Sequence, residues 1–239
     1  MRSGNPFPVI AALCFCVLFS LPGYGAIPPV DLDYDGDVDG SDLGVFVKNL
    51  SQGLPGSDLG RFAAALGLVE DFDHVYNVGP GQAYGDPSQV PWESLMPGSL
   101  VRIHFRMLPY AHKWVIAVAG TPGSPIVVRG IPKNGVLPVI TGENAVTRQE
   151  LDFWNENRSV IKIGGSSNPS QIPSHIVIEN LDIRSARPPY TFTDDRGNLK
   201  PYSKTASCIH GETGENITIR NCILQDSGNG FFSSAQTSD

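Results

Sequence analysis

Apolar positions along the chain fall into three successive patterns. From Val9 to Phe19 they are continuous. From Leu43 they recur at Phe46, Val47 and Leu50, a three- and four-residue spacing that gives a helix one apolar face. Beyond Val75 they come as short runs of Val, Ile and Leu, as in PIVVRGIP, LPVITG, SVIKIGG and NITIRN, each stopped by Gly, Asn or Pro. Runs of that length and composition predict strands joined by tight turns. The expected elements are a leader, a small helical segment and a long succession of strands.

Arg2 precedes the first apolar run, and Gly23, Gly25 and Ala26 follow it. That order of charged, apolar and small residues is a secretory signal peptide, placed at 1–26. The run is too short to cross a bilayer and no later stretch is long enough, so no membrane span is expected. Cys14 lies inside the apolar run without a lipobox, which argues against a lipid anchor. A secreted protein, extracellular or periplasmic, is the expectation. Seventeen basic residues against 24 acidic give a net charge of −7, and losing Arg2 with the leader makes the balance more negative. Nucleic acid is therefore a poor partner. Of the four cysteines only Cys208 and Cys222 lie outside the leader, which fits either one disulfide or two thiols. The 26 glycines and 20 prolines fall between the short apolar runs and strengthen the reading of turn-rich β structure.

The helical segment is preceded by DLDYDGDVDGSD, positions 31–42. Counting Asp31 as the first position of a 12-residue calcium loop puts Asp33 third, Asp35 fifth, Gly36 sixth, Asp37 seventh and Asp42 twelfth. Side-chain oxygens of Asp31, Asp33, Asp35 and Asp42 converge on the ion in such a loop, and the Asp37 carbonyl adds another. A solvated acidic linker has no reason to place glycine at the sixth position and an apolar residue, Val38, at the eighth. The stretch GSDLGVF at 40–46 recurs as GSDLGRF at 56–62. The pair resembles a dockerin type I module, with its duplicated loop and helix, over 27–70. The resemblance implies calcium as the bound ion and a cohesin-like protein as a partner for the helix faces. NLSQGLP, before the second helix copy, has no acidic ladder, so one ion per chain is expected. A calcium-stapled spacer is the alternative to a docking role.

The strand-rich remainder, 71–239, contains an internal repeat. SHIVIENLDIRSA at 174–186 aligns with ENITIRNCILQDS at 215–227, matching Ile176 with Ile217, Ile178 with Ile219 and Asn180 with Asn221. Each repeat buries its apolar face only when stacked on the next, at about 4.8 Å per layer. Asn180 and Asn221 are expected one above the other at a turn, forming a side-chain ladder. The matched residues VGPG (78–81), Leu95-x-Pro97-Gly98 with Val101, GTPGSPIVVRG (120–130) and PVITG (138–142) resemble the N-terminal coils of right-handed parallel β-helix proteins of the pectate lyase and chondroitinase B type. The resemblance implies a mainly β, right-handed parallel β-helix, with the small EF-hand-like, dockerin-like helical module before it. It also implies polysaccharide as ligand or substrate. An antiparallel sandwich is the alternative fold. The recognised repeats make about three coils, so we expect the N-terminal part of a longer rod, or a chain completed by association.

No constellation of side chains names a reaction, and the catalytic residues are unknown from sequence. Lyase chemistry needs a Lys or Arg base and hydrolysis a pair of acids. The residues of those types within the repeats are Lys162, His210, Arg184, Arg187, Asp194, Asp195, Arg196, Glu212, Arg220 and Asp226, read as outward-facing positions on the coils. The insertion ARPPYTFTDDRGNLKPYSK at 186–204 offers Tyr190, Phe192 and Tyr202 either to stack on sugar rings or to pack over the sheet. The functional expectation is an exported polysaccharide-binding or -degrading protein whose chain, taken alone, does not turn over polysaccharide. A non-catalytic surface or adhesion rod is the alternative.

Overall fold

The computed structural model describes residues 32, 42–45, 72–149, 151, 153–164 and 172–234. They form the strands β1 (His74–Val78), β2 (Ser99–His104), β3 (His112–Ile116), β4 (Ile126–Ile131), β5 (Val139–Thr141), β6 (Ala145–Thr147), β7 (Ser159–Ile163) and β8 (Ser174–Glu179). The series continues with β9 (Asp182–Ala186), β10 (Thr191–Thr193), β11 (Leu199–Pro201), β12 (Ser207–Gly211), β13 (Glu215–Arg220), β14 (Ile223–Ser227) and β15 (Asn229–Ser233). The protein is mainly β, as the alternation of short apolar runs and turn residues predicts. Single turns of 3-10 helix at Pro87–Gln89, Trp92–Ser94 and Glu156–Arg158 and a helical stretch at 42–45 complete the described structure.

Three sheets are present, with strand orders β1-β2-β4-β8-β13, β11-β10-β6-β3-β7-β12-β15 and β14-β9-β5. Every pairing between these strands is parallel except that of β10 with β11. An antiparallel sandwich is thereby excluded. The chain visits the sheets in a fixed order: β8, β9 and β12 lie one in each sheet, and β13, β14 and β15 repeat the circuit one layer further on.

Register explains the core. In the first sheet Tyr76, Val101, Val128, Ile178 and Ile219 are successive partners. In the second, Trp114, Ile161, Ile209 and Phe231 align, and in the third Ile140, Ile183 and Leu224. Apart from Phe231, which is 46% exposed, these columns meet in one apolar cluster. Because side chains alternate across a strand, a single-residue slip would turn every column outward, so burial fixes the register. At one end Trp92 stacks on Trp114, ring centroids 4.7 Å apart, while its indole donates to the Pro87 carbonyl. At the other, Ile217, Ile219 and Leu224 are only partly covered.

Left-handed residues carry a second periodicity, inside strands as well as at the corner between β8 and β9. His175, Asn180 and Ser185 all have positive φ, and so do their partners one layer on, Asn216, Asn221 and Asp226. The corner between β8 and β9 turns through Asn180, and that between β13 and β14 through Asn221, in a left-handed conformation that Asn and Asp tolerate better than most non-glycine residues. The expected stacking of Asn180 on Asn221 is present, but its basis differs from a side-chain ladder. The bond recorded there runs from the Asn180 N–H to the Arg220 carbonyl, 3.4 Å, so the asparagines serve the backbone turn. Cys208 and Cys222 are free thiols; the Cys208 Sγ donates to the Ile183 carbonyl at 3.0 Å.

Candidate functional site

The second sheet carries Lys113, Lys162 and His210 on one face. Val115, Lys162, His210 and Phe232 are successive register partners, and Lys113 precedes Val115 by two residues on the same strand. Lys113 and Lys162 are both buried, which is tolerable only if each ammonium finds acceptors. Lys113 donates to the carbonyls of Glu156, at 2.8 Å, and Ser159, and lies 4.0 Å over the Phe192 ring. Lys162 donates to the Trp154 carbonyl and pairs with Glu212. The two lysines thus hold the turn Phe153–Arg158 from beneath.

That turn forms one wall of a cavity of about 420 Å³. Trp154, half exposed, projects from it, with Asn155 in the left-handed region at φ 54° and Asn157 beside it. The opposite wall is the hairpin of β10 and β11, which contributes Asp194, Asp195, Arg196 and Asn198 from its tip and Lys200 from β11. Asp194 organises the tip. Its Oδ1 accepts the amides of Arg196 (3.0 Å) and Asn198 (2.7 Å), and its backbone carbonyl accepts Gly197 N–H at 3.0 Å. Glu156 joins the walls: Oε1 accepts the Asp195 amide at 2.8 Å and Oε2 accepts the Thr147 hydroxyl at 2.6 Å.

Burial dominates the electrostatics. It pushes the Glu156 carboxyl up to about 7, against the opposing pull of the Asp195 amide, the Thr147 hydroxyl and Lys113. Burial also lowers Lys113 well below the usual lysine range; Glu156 counteracts this and Lys162 adds to it. The Tyr202 phenol is raised well above 10 by burial and by Glu156. Asp194 goes the other way: burial acts upward, but the Asn198 and Arg196 amides outweigh it and hold the carboxyl low. His210 is lowered by burial and by Lys162.

Set against these positions, the expectation of outward, solvated candidates holds for some and fails for others. Lys162 and His210 are neighbours, as the repeat implied, yet both are buried. Lys162 is met by the turn that carries Trp154 and by Glu212 just after β12, and His210 by Phe232 of β15 and by Ser234, contacts that periodicity alone does not reveal. Asp194, Asp195 and Arg196 come together at the cavity. Arg184 pairs with Asp182, Arg187 and Tyr190 with Asp226, and Arg220 with Glu179, all away from it. Phe192 and Tyr202 pack into the core, ring centroids 4.8 Å apart, so of the two roles open to the aromatics of the insertion they take the packing one. Trp154, Glu156 and Lys113 escaped sequence reading. The one signal for Trp154 was an aromatic residue set among Asn and Asp in a stretch with no strand pattern.

Of the calcium-loop residues, Asp31, Asp33, Asp35 and Asp37 lie outside the described residues. Asp42 is fully buried at the start of the helical stretch, and its Oδ1 accepts the Leu32 amide. Among the described residues no three His, Cys, Asp or Glu side chains cluster to hold a metal, and no helix is long and apolar enough to cross a membrane. The chain matches no protein-family model, no curated protein and no solved structure.

Proposed function

We propose that this is an exported polysaccharide-binding protein, built as a right-handed parallel β-helix with a one-calcium, dockerin-like module before it. The observation that carries the reading is the cavity between Trp154 and the hairpin tip. An exposed indole flanked by amides and carboxylates is what a sugar ring requires, with an apolar face to stack on and edge groups to bond its hydroxyls. The parallel sheets traversed in constant order support the β-helix, and so do the left-handed residues repeated at partner positions of the last two layers. Binding is favoured over lyase chemistry. Lys162 and His210 are too deeply buried to reach a sugar C5 proton, and the exposed Arg196 and Lys200 are paired with Asp195 and Asp194.

Secreted protein lacking the leader is to be titrated with pectin, alginate, chondroitin and xylan, following Trp fluorescence and, separately, unsaturated products and reducing ends. One of these is expected to bind without turnover, and Trp154→Ala to weaken that binding at least tenfold, about 1.4 kcal/mol. Binding unaffected by Trp154→Ala would move the site elsewhere. Turnover would make the protein an enzyme.

The calcium reading rests on the spacing of Asp31, Asp33, Asp35, Asp37 and Asp42, which are the residues that would hold the ion. Closure of Asp42 onto Leu32, joining the two ends of the acidic stretch, supports it. A bound calcium would neutralise the mutually repelling carboxylates. Calorimetric titration is expected to give one calcium per chain, abolished by Asp31→Ala combined with Asp35→Ala. No binding, or two equivalent ions, would refute the loop.

A further inference from the structure

The tip of the β10–β11 hairpin is closed by hydrogen bonds of its own and is tied to the rest of the protein through Glu156. Within 194–198 the hydrogen bonds run from residue to residue: Asp194 N–H to the Asn198 carbonyl, Gly197 N–H to the Asp194 carbonyl, and the two amides on the Asp194 carboxylate. Among the described residues, the polar contacts leading out of that segment are those of Asp195 with Glu156, through its amide on Oε1 and through its side chain, and a 4.0 Å ion pair of Asp194 with Lys200 on β11. The base of the hairpin is secured separately. Phe192 and Thr193 pair with Ala145 and Val146, and the rings of Phe192 and Tyr202 are buried.

Glu156 is also fastened on its other side. Its Oε2 takes the Thr147 hydroxyl, its backbone carbonyl takes Lys113 Nζ, and it sits in the same turn as Trp154. We infer that Glu156 is a positioning residue that sets the separation of the two cavity walls by clamping the hairpin tip against the turn that carries Trp154. The inference rests on the reading of the cavity as a saccharide site and adds to it the residue that gives the site its width. A ligand held between an indole on one wall and amide and carboxyl groups on the other loses affinity when either wall drifts, because orientation must then be restored on binding. Loops secured by few bonds are drawn from the low end of local stability, so one clamp controls this one.

The chain supplies its own probe. Arg196 is exposed at the tip and is followed by Gly197, a bond trypsin cuts once the tip detaches, whereas the bond after Lys200 precedes Pro201 and resists. Lys133, exposed in a different turn, reports general loosening. Glu156→Ala is expected to accelerate cleavage after Arg196 about tenfold with no matching change after Lys133, and to weaken saccharide binding about as much. Glu156→Gln keeps an acceptor for the Asp195 amide and is expected to restore both to within a factor of two to three. Asp195→Pro removes the donor and leaves Glu156 and Lys113 in place. Residue 195 follows Asp194 in a turn closed by Gly197, a position that suits proline. It is expected to reproduce the Arg196-specific acceleration even if Glu156→Ala fails to fold. Wild-type cleavage after Arg196 in Asp195→Pro, or equal acceleration at both sites in Glu156→Ala, would overturn the clamp. Proteolysis needs no saccharide, so a protein that binds none of the polysaccharides would refute the saccharide reading while leaving the clamp to be judged on cleavage alone.

Discussion

Gly130→Ala is expected to lower the melting temperature by about 6–20 °C, corresponding to roughly 3–5 kcal/mol in a domain of this size. Arg129 pairs with Glu179, which places Gly130 opposite Asn180, the left-handed corner of the next layer. A methyl group on Gly130 would sit 1.9 Å from the Asn180 carbonyl oxygen and 2.8 Å from both its carbonyl carbon and the Pro138 ring. Two of those atoms are backbone. Adjacent layers would have to separate by about 1 Å, breaking ladder hydrogen bonds between β4 and β8, and so the cost exceeds that of ordinary overpacking, about 1–3 kcal/mol. Gly123→Ala is the control, since a Cβ there meets nothing within 4 Å. It is expected to stay within about 0.5 kcal/mol of the wild type. Thermal unfolding followed by circular dichroism distinguishes the two, and equal melting temperatures would show that the layers are not held as closely as this.

Gly130 also shows how far the chain could be read without coordinates. The repeat of Ile176, Ile178 and Asn180 at Ile217, Ile219 and Asn221 aligns residues that prove to be register partners or their direct continuation. Apolar runs closed by turn residues translate into strands because burial and backbone sterics are both local to a strand and its neighbour. Gly130 lies inside β4, opposite the Asn180 corner of the next layer, yet its role is invisible in sequence, where the preceding run shows only a loose version of the repeat. The cavity was harder still. Its walls come from a 3-10 turn and an inserted hairpin, neither of which repeats, and they meet because Glu156 and Asp195, 39 residues apart, bond across the gap. Lys113 stands in a strand with Trp114, Val115 and Ile116, and strand pattern alone assigns a lone lysine to a solvated face. Only the carbonyls of Glu156 and Ser159, brought over it from another segment, make its burial possible.

Lys113→Met is for that reason expected to be costly, and to become more so as pH rises. The substitution preserves apolar bulk beneath Phe192 and Tyr202 but withdraws the donor from two buried carbonyls. At pH 5 that loss is the main effect, about 1–3 kcal/mol. Glu156 supplies the pH dependence. Its folded-state pKa, about 7, lies above its unfolded value, so its contribution to stability is present at low pH and is lost as pH rises through about 7. Lys113 opposes that rise in the wild type, so removing it moves the Glu156 pKa further up and leaves the ionised carboxylate with its neighbouring cation gone. The two charged groups are not in direct contact, so the attraction lost is worth roughly one pKa unit, and the loss at pH 8 is expected to exceed that at pH 5 by about 1–2 kcal/mol. Denaturant unfolding of Lys113→Met at the two pH values, each referred to the wild type, measures the difference. Adding Glu156→Gln to Lys113→Met is expected to remove the pH dependence and to recover part of the stability at pH 8, because no charge is then left unpaired. A loss for Lys113→Met that is the same at pH 5 and pH 8 would mean that the ammonium holds the turn by its bonds to the two carbonyls alone and has no electrostatic part in keeping Glu156 ionised.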